Sequence, residues 1–457
     1  MAHKNHAQPP PGTERLSNAT LLAYGLPLSG ATFMYMMVLV MYLNFCTDVL
    51  LIAPGIIGLI FLISKLWDAV SDPLVGYWSD RTNAACGRRR TWMLASCTPL
   101  CAFNIMLWWI PEGLNSWLIP LWAALALLGF YSAFTGFAVP HMALGAELSN
   151  AAQQRNRIFG TRQLFNSLGM LLAFVVGLPL LENATSDNHI AGHTAAWAAA
   201  CSSVIMVCCI AALPRERADY QGRGGGPVLE TTRDVWLNPH ARVLLSVFFI
   251  ENLGMGAIAV MTPYLMKYVI QVEGVIGPVM LVYVLASVLA IPVWVRLAGR
   301  FERHKLWAAA MAISCLGYGL VMWQAQGRVA LMFLTALLTG IGSACGATLG
   351  QALKADTIDV DEYLTGQRKE GAYFAAWNLM AKAAGGLMVA VCGLALQWSG
   401  FEPGVEQSTT TRRVILALMG GLPMLAFALA LTLLSRFRLT RAEHRRIRQH
   451  LEKSGVR

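Results

Sequence analysis

The sequence predicts an all-α integral membrane protein, with twelve transmembrane helices in two pseudo-symmetric six-helix bundles. Three observations carry that prediction. Hydrophobic residues make up 56% of the 457 and charged residues 13%, with a mean hydropathy of +0.52; a soluble protein carries about 25% charge. Apolar runs of about 20 residues, enough to span a bilayer as a helix, recur along the whole chain. The basic residues fall in alternate connecting segments, with 28 of the 35 Lys and Arg in the N-terminal segment, five loops and the tail. That is the positive-inside pattern.

In chain order, the spans are placed near 21–46, 54–78, 92–111, 117–145, 157–182, 195–213, 241–270, 275–298, 305–325, 329–353, 371–397 and 411–436. Residues 1–20 are polar and Pro-rich without the pattern of a cleavable signal, so the first span is expected to remain as an anchor. The bundles then occupy 21–213 and 241–436, joined by a Gly-rich, charged linker at 214–240 and followed by a tail helix at 437–457. The expected outer loops keep Arg328, Arg412 and Arg413, while Lys65, Lys267, Lys354 and Lys382 lie within spans. Both termini are therefore expected in the cytoplasm of a cell with the chain in its inner or plasma membrane. The net charge of +10 reads as topology rather than as affinity for nucleic acid.

Ten cysteines read as small apolar residues, with no Cys-x-x-Cys and no Cys/His metal spacing. No nucleophile elbow, P-loop or dinucleotide loop is present, which argues against an enzyme. Asn183-Ala-Thr185 matches a glycosylation sequon that matters only in a eukaryotic host. The basic tail, with Leu439, Ile447 and Leu451 as its sparse apolar positions, is read as a helix along an anionic membrane face. A weak internal echo supports duplication. Gly76-Tyr-Trp-Ser-Asp80-Arg81 with Gly87-Arg-Arg-Arg90 follows the second span; Arg296-Leu-Ala-Gly299-Arg300 with Arg303-His-Lys305 follows the eighth.

The costly residues point to function. Asp68, Ser71 and Asp72 stand at i, i+3 and i+4 of the second span and so share one face. A charge at a bilayer centre costs about 2.5–3.5 kcal/mol on insertion scales. Four carboxylate oxygens and a hydroxyl suit a hard cation such as Na⁺, and two close carboxylates equally suit a proton. Lys65, three residues earlier, and Lys382 of the eleventh span are the candidate counter-ions. Thr135, with Pro140 after it, marks a polar break in the fourth span. Arg162 opens the fifth as either a snorkelling or a functional arginine. Between the tenth and eleventh spans, ADTIDVDEYLTGQRKEG carries Asp356, Asp359, Asp361 and Glu362; these acids can meet Arg88, Arg89 and Arg90 when the inner side closes.

Taken together, DAVSDPLVGYWSDRT…GRRR, ADTIDVDEYLTGQRKEG and the spaced Lys382 resemble the glycoside–pentoside–hexuronide:cation symporters, the melibiose-permease branch of the major facilitator superfamily. The resemblance covers nearly the whole chain. It implies alternating access and solute uptake driven by H⁺, Na⁺ or Li⁺, with no cofactor, a small-molecule solute, a lipid surround and a monomeric carrier. The cation site it implies falls on Asp68, Ser71, Asp72 and Thr135, with Na⁺ on Asp68 and Asp72 if sodium couples, and with Lys382 and Lys65 as charge partners. The solute site it implies falls on Arg162, Thr32, Ala138, Met142, Thr348 and Asn378, and the cytoplasmic gate on Asp80, Arg81, Arg88, Arg89, Arg90, Asp356 and Asp359. Ser71 replaces the usual asparagine, which weakens sodium preference. Thr32 and Ala138 replace the two aspartates that hold galactosyl hydroxyls, so a galactoside is disfavoured and an anionic solute such as a uronide becomes attractive. Export of an amphiphile, lysolipid or drug on the same scaffold, and a non-transporting membrane sensor, stay open as alternatives.

Overall fold

The computed structural model describes residues 16–111, 113–148, 152–177, 188–214, 235, 238–272, 274–365, 370–437 and 439–453. All of its regular elements are helical. The first half holds α1 (Asn18–Asp48), α2 (Pro54–Arg81), α3 (Arg88–Trp108), α4 (Ile119–Glu147), α5 (Ala152–Leu172, continued by a π turn, Ala173–Gly177) and α6 (Asn188–Ala211). The second half begins with α7 (Pro239–Leu265, then the π turn Met266–Ile270), α8 (Ile276–Leu297) and α9 (Arg303–Val321). It continues with α10 (Val329–Cys345, the π turn Gly346–Gly350, then Gln351–Thr365), α11 (Glu370–Trp398) and α12 (Thr409–Leu416, Ala417–Gly421 and Leu422–Leu434). A tail helix, α13, spans Arg441–Lys453. Among the described residues ten of these columns are long and apolar enough to cross a membrane; α6 and α9 fall outside that set, α6 with an apolar portion at Ala196–Ala211. The Gly-rich stretch Arg215–Asp234, the sequon at Asn183 and residues 366–369 of the acidic turn lie outside the described residues.

Local chemistry sets the ends. The Ser17 hydroxyl caps α1 by accepting from the Thr20 amide at 3.1 Å. Asn238 caps α7 through the His240 and Ala241 amides, and Ser408 caps α12 through Thr411. Each cap satisfies a donor that the first helical turn leaves orphaned. Pro54 opens α2 at a position where its missing N–H costs nothing. Gly87, at φ +98° and ψ 148°, turns the chain into α3 in a region reserved for glycine.

Within the first half α1 packs on α5 and α6, and α4 on α2 and α3; within the second, α10 packs on α8 and α9, and α12 on α7 and α9. Large apolar side chains such as Ile63, Val70, Leu289, Leu316 and Leu425 stay more than half exposed. Such exposed apolar faces are what helices long enough to cross a membrane present outward.

The halves meet through α2 against α11, α1 against α7 and the π turn of α5 against α8. Small residues bring α2 and α11 close. A Cβ on Gly393 would collide with the Pro54 carbonyl, and one on Gly58 would lie 3.1 Å from Ala390 Cα. These contacts sit toward the face opposite the basic loops. There Lys267 and the Tyr268 hydroxyl of α7 donate to Asp48 of α1, and Thr47 shares a 2.7 Å hydrogen bond with Tyr264.

At the basic face the described ion pairs each stay inside one half. Arg88 reaches Glu147 at 2.8 Å and Asp80 at 3.9 Å, and Arg89 pairs with Asp80 and donates to Ser79 at 2.7 Å. Arg303 pairs with Asp356 at 2.6 Å, while His444 of α13 lies 3.1 Å from Asp359 and 3.6 Å from Asp356. The halves are joined at the opposite face, and the described acid–base pairs at the basic face brace each half separately. The tail helix is tethered to the end of α10 by His444 and packs Ile447 against the second half's core.

Candidate functional site

The site is set well inside the helices. At 1.5 Å rise per residue, Asp68 of α2, Thr135 of α4 and Lys382 of α11 lie about 18–20 Å along their helices from the basic-face ends. Charge held that far inside apolar helices marks a candidate binding site.

At its centre the i, i+3, i+4 spacing on α2 turns Asp68, Ser71 and Asp72 toward α4 and α11. Thr135 of α4 donates to Asp68 Oδ1 at 2.7 Å and lies 3.2 Å from Asp72 Oδ1. Thr135 has one hydroxyl hydrogen, so the shorter bond takes it. Ser71 gives its hydroxyl to the Asp68 carbonyl at 3.1 Å and stands 3.5 Å from Thr135. Into this oxygen cage comes the ammonium of Lys382 from α11, 2.6 Å from Asp72 Oδ2, 3.0 Å from Asp68 Oδ2 and 3.2 Å from the Asp68 carbonyl. Asp68 is buried at 4% side-chain exposure, whereas Asp72 and Lys382 keep 24% and 23%. The pair faces the interior rather than lipid, and a monovalent cation is already seated there in the form of a tethered ammonium.

Lys65 is brought near but not into the cage. The expected pairing with Asp68 is absent: the Lys65 ammonium donates to the Tyr35 hydroxyl at 2.8 Å and sits 4.0 Å from the Tyr131 ring centroid. A phenol and a ring face on α1 and α4 offer it hydrogen-bonded burial and cation–π attraction, while Lys382 already occupies the carboxylates.

The expected solute positions divide. Thr32 on α1 is buried and spends its hydroxyl on Asn166 Oδ1 of α5 at 3.0 Å. Thr348 donates back to the Ala344 carbonyl of its own helix at 2.8 Å. Ala138 is half-buried, and Met142 and Asn378 are exposed. Arg162 is half-buried with its Nε lacking a hydrogen-bond acceptor. It lies beside a brace in which Tyr24 of α1 donates to the His141 carbonyl at 3.1 Å and stacks on the His141 ring at 4.4 Å. Of the gate residues, Asp80, Arg88, Arg89, Asp356 and Asp359 are in the two networks described above. Arg90 donates to the Ala211 carbonyl at 2.9 Å, and Arg81 stacks on Tyr77 of its own helix at 3.6 Å.

Glu147, Asp48 and Glu251 carry no signal picked out in the sequence, and Lys354 stands there only as an in-span lysine. Glu147 receives both Arg88 and Arg89, but a helix-end glutamate among polar residues gives no signal. Asp48 answers Lys267, which was noticeable as an in-span lysine in need of a counter-ion. Glu251 and Lys354 were detectable by the cost argument that exposed Asp68, since Glu251 interrupts an apolar run as plainly as Asp68 does.

Residues 23–441 match the family described as MFS/sugar transport protein. The chain belongs to that family. It is a membrane transporter and not an enzyme. Among its relatives, the isoprimeverose transporter of Lactiplantibacillus pentosus is 23% identical, with 97% of this chain and 91% of the relative covered. The inner membrane symporter YicJ of Escherichia coli (strain K12) is 24% identical over 93% and 92% of the two chains. A bacterial homologue of the human lysosomal transporter Spinster, solved in an inward-facing and unoccupied conformation, superposes with a TM-score of 0.69 at 13% identity, covering 93% of this chain and 100% of that one. It shares the fold.

Proposed function

We propose that this transporter is a cation-coupled symporter of a sugar-derived solute, and that the Lys382 ammonium in the Asp68–Asp72 cage is the device that couples the two. Lys382 belongs to the second half and the carboxylates to the first, so their ion pair ties the halves together at the seam. An incoming H⁺ or Na⁺ satisfies the carboxylates from within the first half and releases the lysine. A bond between halves is exchanged for one inside a half, and the equilibrium between the two rocked states shifts. Because the coupling is a binding free energy, the solute must in turn raise the affinity for the cation. The basic face is assigned to the cytoplasm by the positive-inside rule. The state seen, joined at the opposite face, is then inward-facing, and the halves that rock are 21–213 and 241–436.

The solute is assigned to the anionic members of the class. Within the spans the bases Lys65, Arg162, Lys354 and Lys382 stand against the acids Asp68, Asp72 and Glu251, and a bound cation adds to the excess of positive charge. The half-buried Arg162 guanidinium is the candidate partner for a solute carboxylate. No carboxylate stands at Thr32 or Ala138 to accept sugar hydroxyls, and Thr32 is already committed to Asn166. A uronide fits this better than a neutral galactoside.

The test is uptake into proteoliposomes of paired uronide and neutral glycoside probes under imposed Na⁺ or H⁺ gradients. Asp68→Asn and Asp72→Asn should each abolish uphill accumulation while leaving a folded protein that still exchanges solute. Normal accumulation in both variants refutes the coupling, and a neutral glycoside preferred over its uronide refutes the solute assignment.

A further inference from the structure

Glu251 interrupts the apolar run VLLSVFFIENLGMGAIAV of α7, and nothing in the coupling mechanism depends on it. A carboxylate inside such a run is costly and stands where it has a task. Its surroundings are built to hold it. The π turn Gly346–Gly350 of α10 passes beside it, and such turns inside helices concentrate at functional sites. A Cβ on Gly346 would lie 3.1 Å from Glu251 Oε1 and 3.3 Å from Trp307 Nε1. The missing side chain is therefore what lets the acid of α7 and the indole of α9 share one space. Trp307 is 2% exposed and its Nε1–H faces Glu251, so a buried donor stands next to the acid.

The titratable and charged groups facing Glu251 are Tyr283 from α8, Tyr318 from α9, and Cys345 and Lys354 from α10. Lys354 is the sole charge among them, and it does not close on the acid. Its ammonium, 4% exposed as a residue, lies 3.6 Å from the Phe248 ring centroid and 5.1 Å from that of Trp377. Among the described residues no base reaches ion-pair distance of Glu251, whereas Asp68 and Asp72 both hold Lys382 in contact. In this conformation, then, the Asp68–Asp72 pair holds a lysine in contact and Glu251 holds none. Glu251 keeps partial exposure, which leaves it open to exchange with water.

We propose that Glu251 is a proton-binding site of the second half, carrying its proton in the state seen here. Release breaks the O–H bond and passes the proton to water on the side that is open, leaving the carboxylate facing the Lys354 ammonium of its own half. This rests on the symporter reading and deepens it. It makes a proton a coupled ion, carried separately from whatever cation occupies the Asp68–Asp72 cage.

The primary test needs no solute. Infrared spectra of the purified chain in detergent, recorded across a pH titration, should show a protonated-carboxyl carbonyl band that vanishes as pH rises. The band should be absent from Glu251→Gln, retained but displaced in frequency in Glu251→Asp, and retained in Asp72→Asn. A titrating band that is unchanged in Glu251→Gln overturns the proposal. In proteoliposomes, with a chromogenic glucuronide as the probe, Glu251→Gln should lose accumulation driven by a proton gradient and keep probe exchange. Proton-driven accumulation at the wild-type level overturns it as well. The Asp68→Asn result, read in the same vesicles, judges the cation cage independently, so either site can fail while the other stands.

Discussion

Replacing Lys382 by methionine keeps the length and bulk of the side chain but withdraws the ammonium from the cage. The wild-type ammonium makes 2.6 and 3.0 Å ion pairs to Asp72 and Asp68 and a 3.2 Å hydrogen bond to the Asp68 carbonyl. Removing one partner from a fully buried ion pair costs about 3–5 kcal/mol, because a charge is left uncompensated. Asp68 is nearly inaccessible, but the 24% and 23% exposures of Asp72 and Lys382 let water carry part of that cost. The expected loss is about 2–4 kcal/mol in cation-free buffer. Since each 1.4 kcal/mol is tenfold, this is about 30- to 700-fold in the folding equilibrium. The vacated cage should then bind the coupling cation without competition. A ligand at a hundred times its dissociation constant returns about 2.7 kcal/mol. Thermal denaturation in detergent, with choline, sodium or lithium chloride at two pH values, reads both quantities. Lys382→Met should be less stable than wild type in choline and should gain more than wild type from its coupling ion, and the ion that restores it is the one transported. Equal stability of variant and wild type in choline would show that the ammonium does not neutralise the pair, and the coupling argument would fall.

Asp48→Ala removes the acceptor that ties α1 to Lys267 and Tyr268 across the seam. Lys267 is 43% exposed and its ion pair is worth about 1 kcal/mol or less, so the hydrogen bond from Tyr268 to a buried carboxylate, about 1.5–3 kcal/mol, carries the effect. Alkylation of a cysteine placed at Thr47 should be faster by about tenfold or more in this variant, and an unchanged rate counts against the seam as a gate. Thr32→Val leaves Asn166 Oδ1 without its 3.0 Å donor and should cost about 1–3 kcal/mol of stability while sparing solute affinity; a lost affinity at unchanged stability would return Thr32 to the solute site. Gly87→Ala forces a Cβ into a backbone region at φ +98° and should cost about 1–3 kcal/mol, read as a lowered Tm, whereas an unchanged Tm would show that the turn relaxes freely.

The spans, the alternation of basic loops and the acid pair at Asp68 and Asp72 were legible in the sequence, because each follows from a local rule. Twenty apolar residues must cross a bilayer as a helix, charge must be spared from its centre, and an i, i+4 spacing must share a face whatever lies opposite. What lay opposite was decided in three dimensions. Two in-span lysines were equal candidates for the acids, and the packing of α2 on α11 through glycines gave the cage to Lys382 and left Lys65 with Tyr35 and Tyr131. Thr32 and Asn166, 134 positions apart, meet only because α1 packs on α5, and that contact commits the threonine hydroxyl to the asparagine. The same holds for Gly346, whose lack of a side chain makes room for Glu251 and Trp307 from two other helices. Local spacing determines which face of a helix a charge occupies. Which charge it meets depends on long-range packing between helices, and the one-dimensional pattern does not encode that.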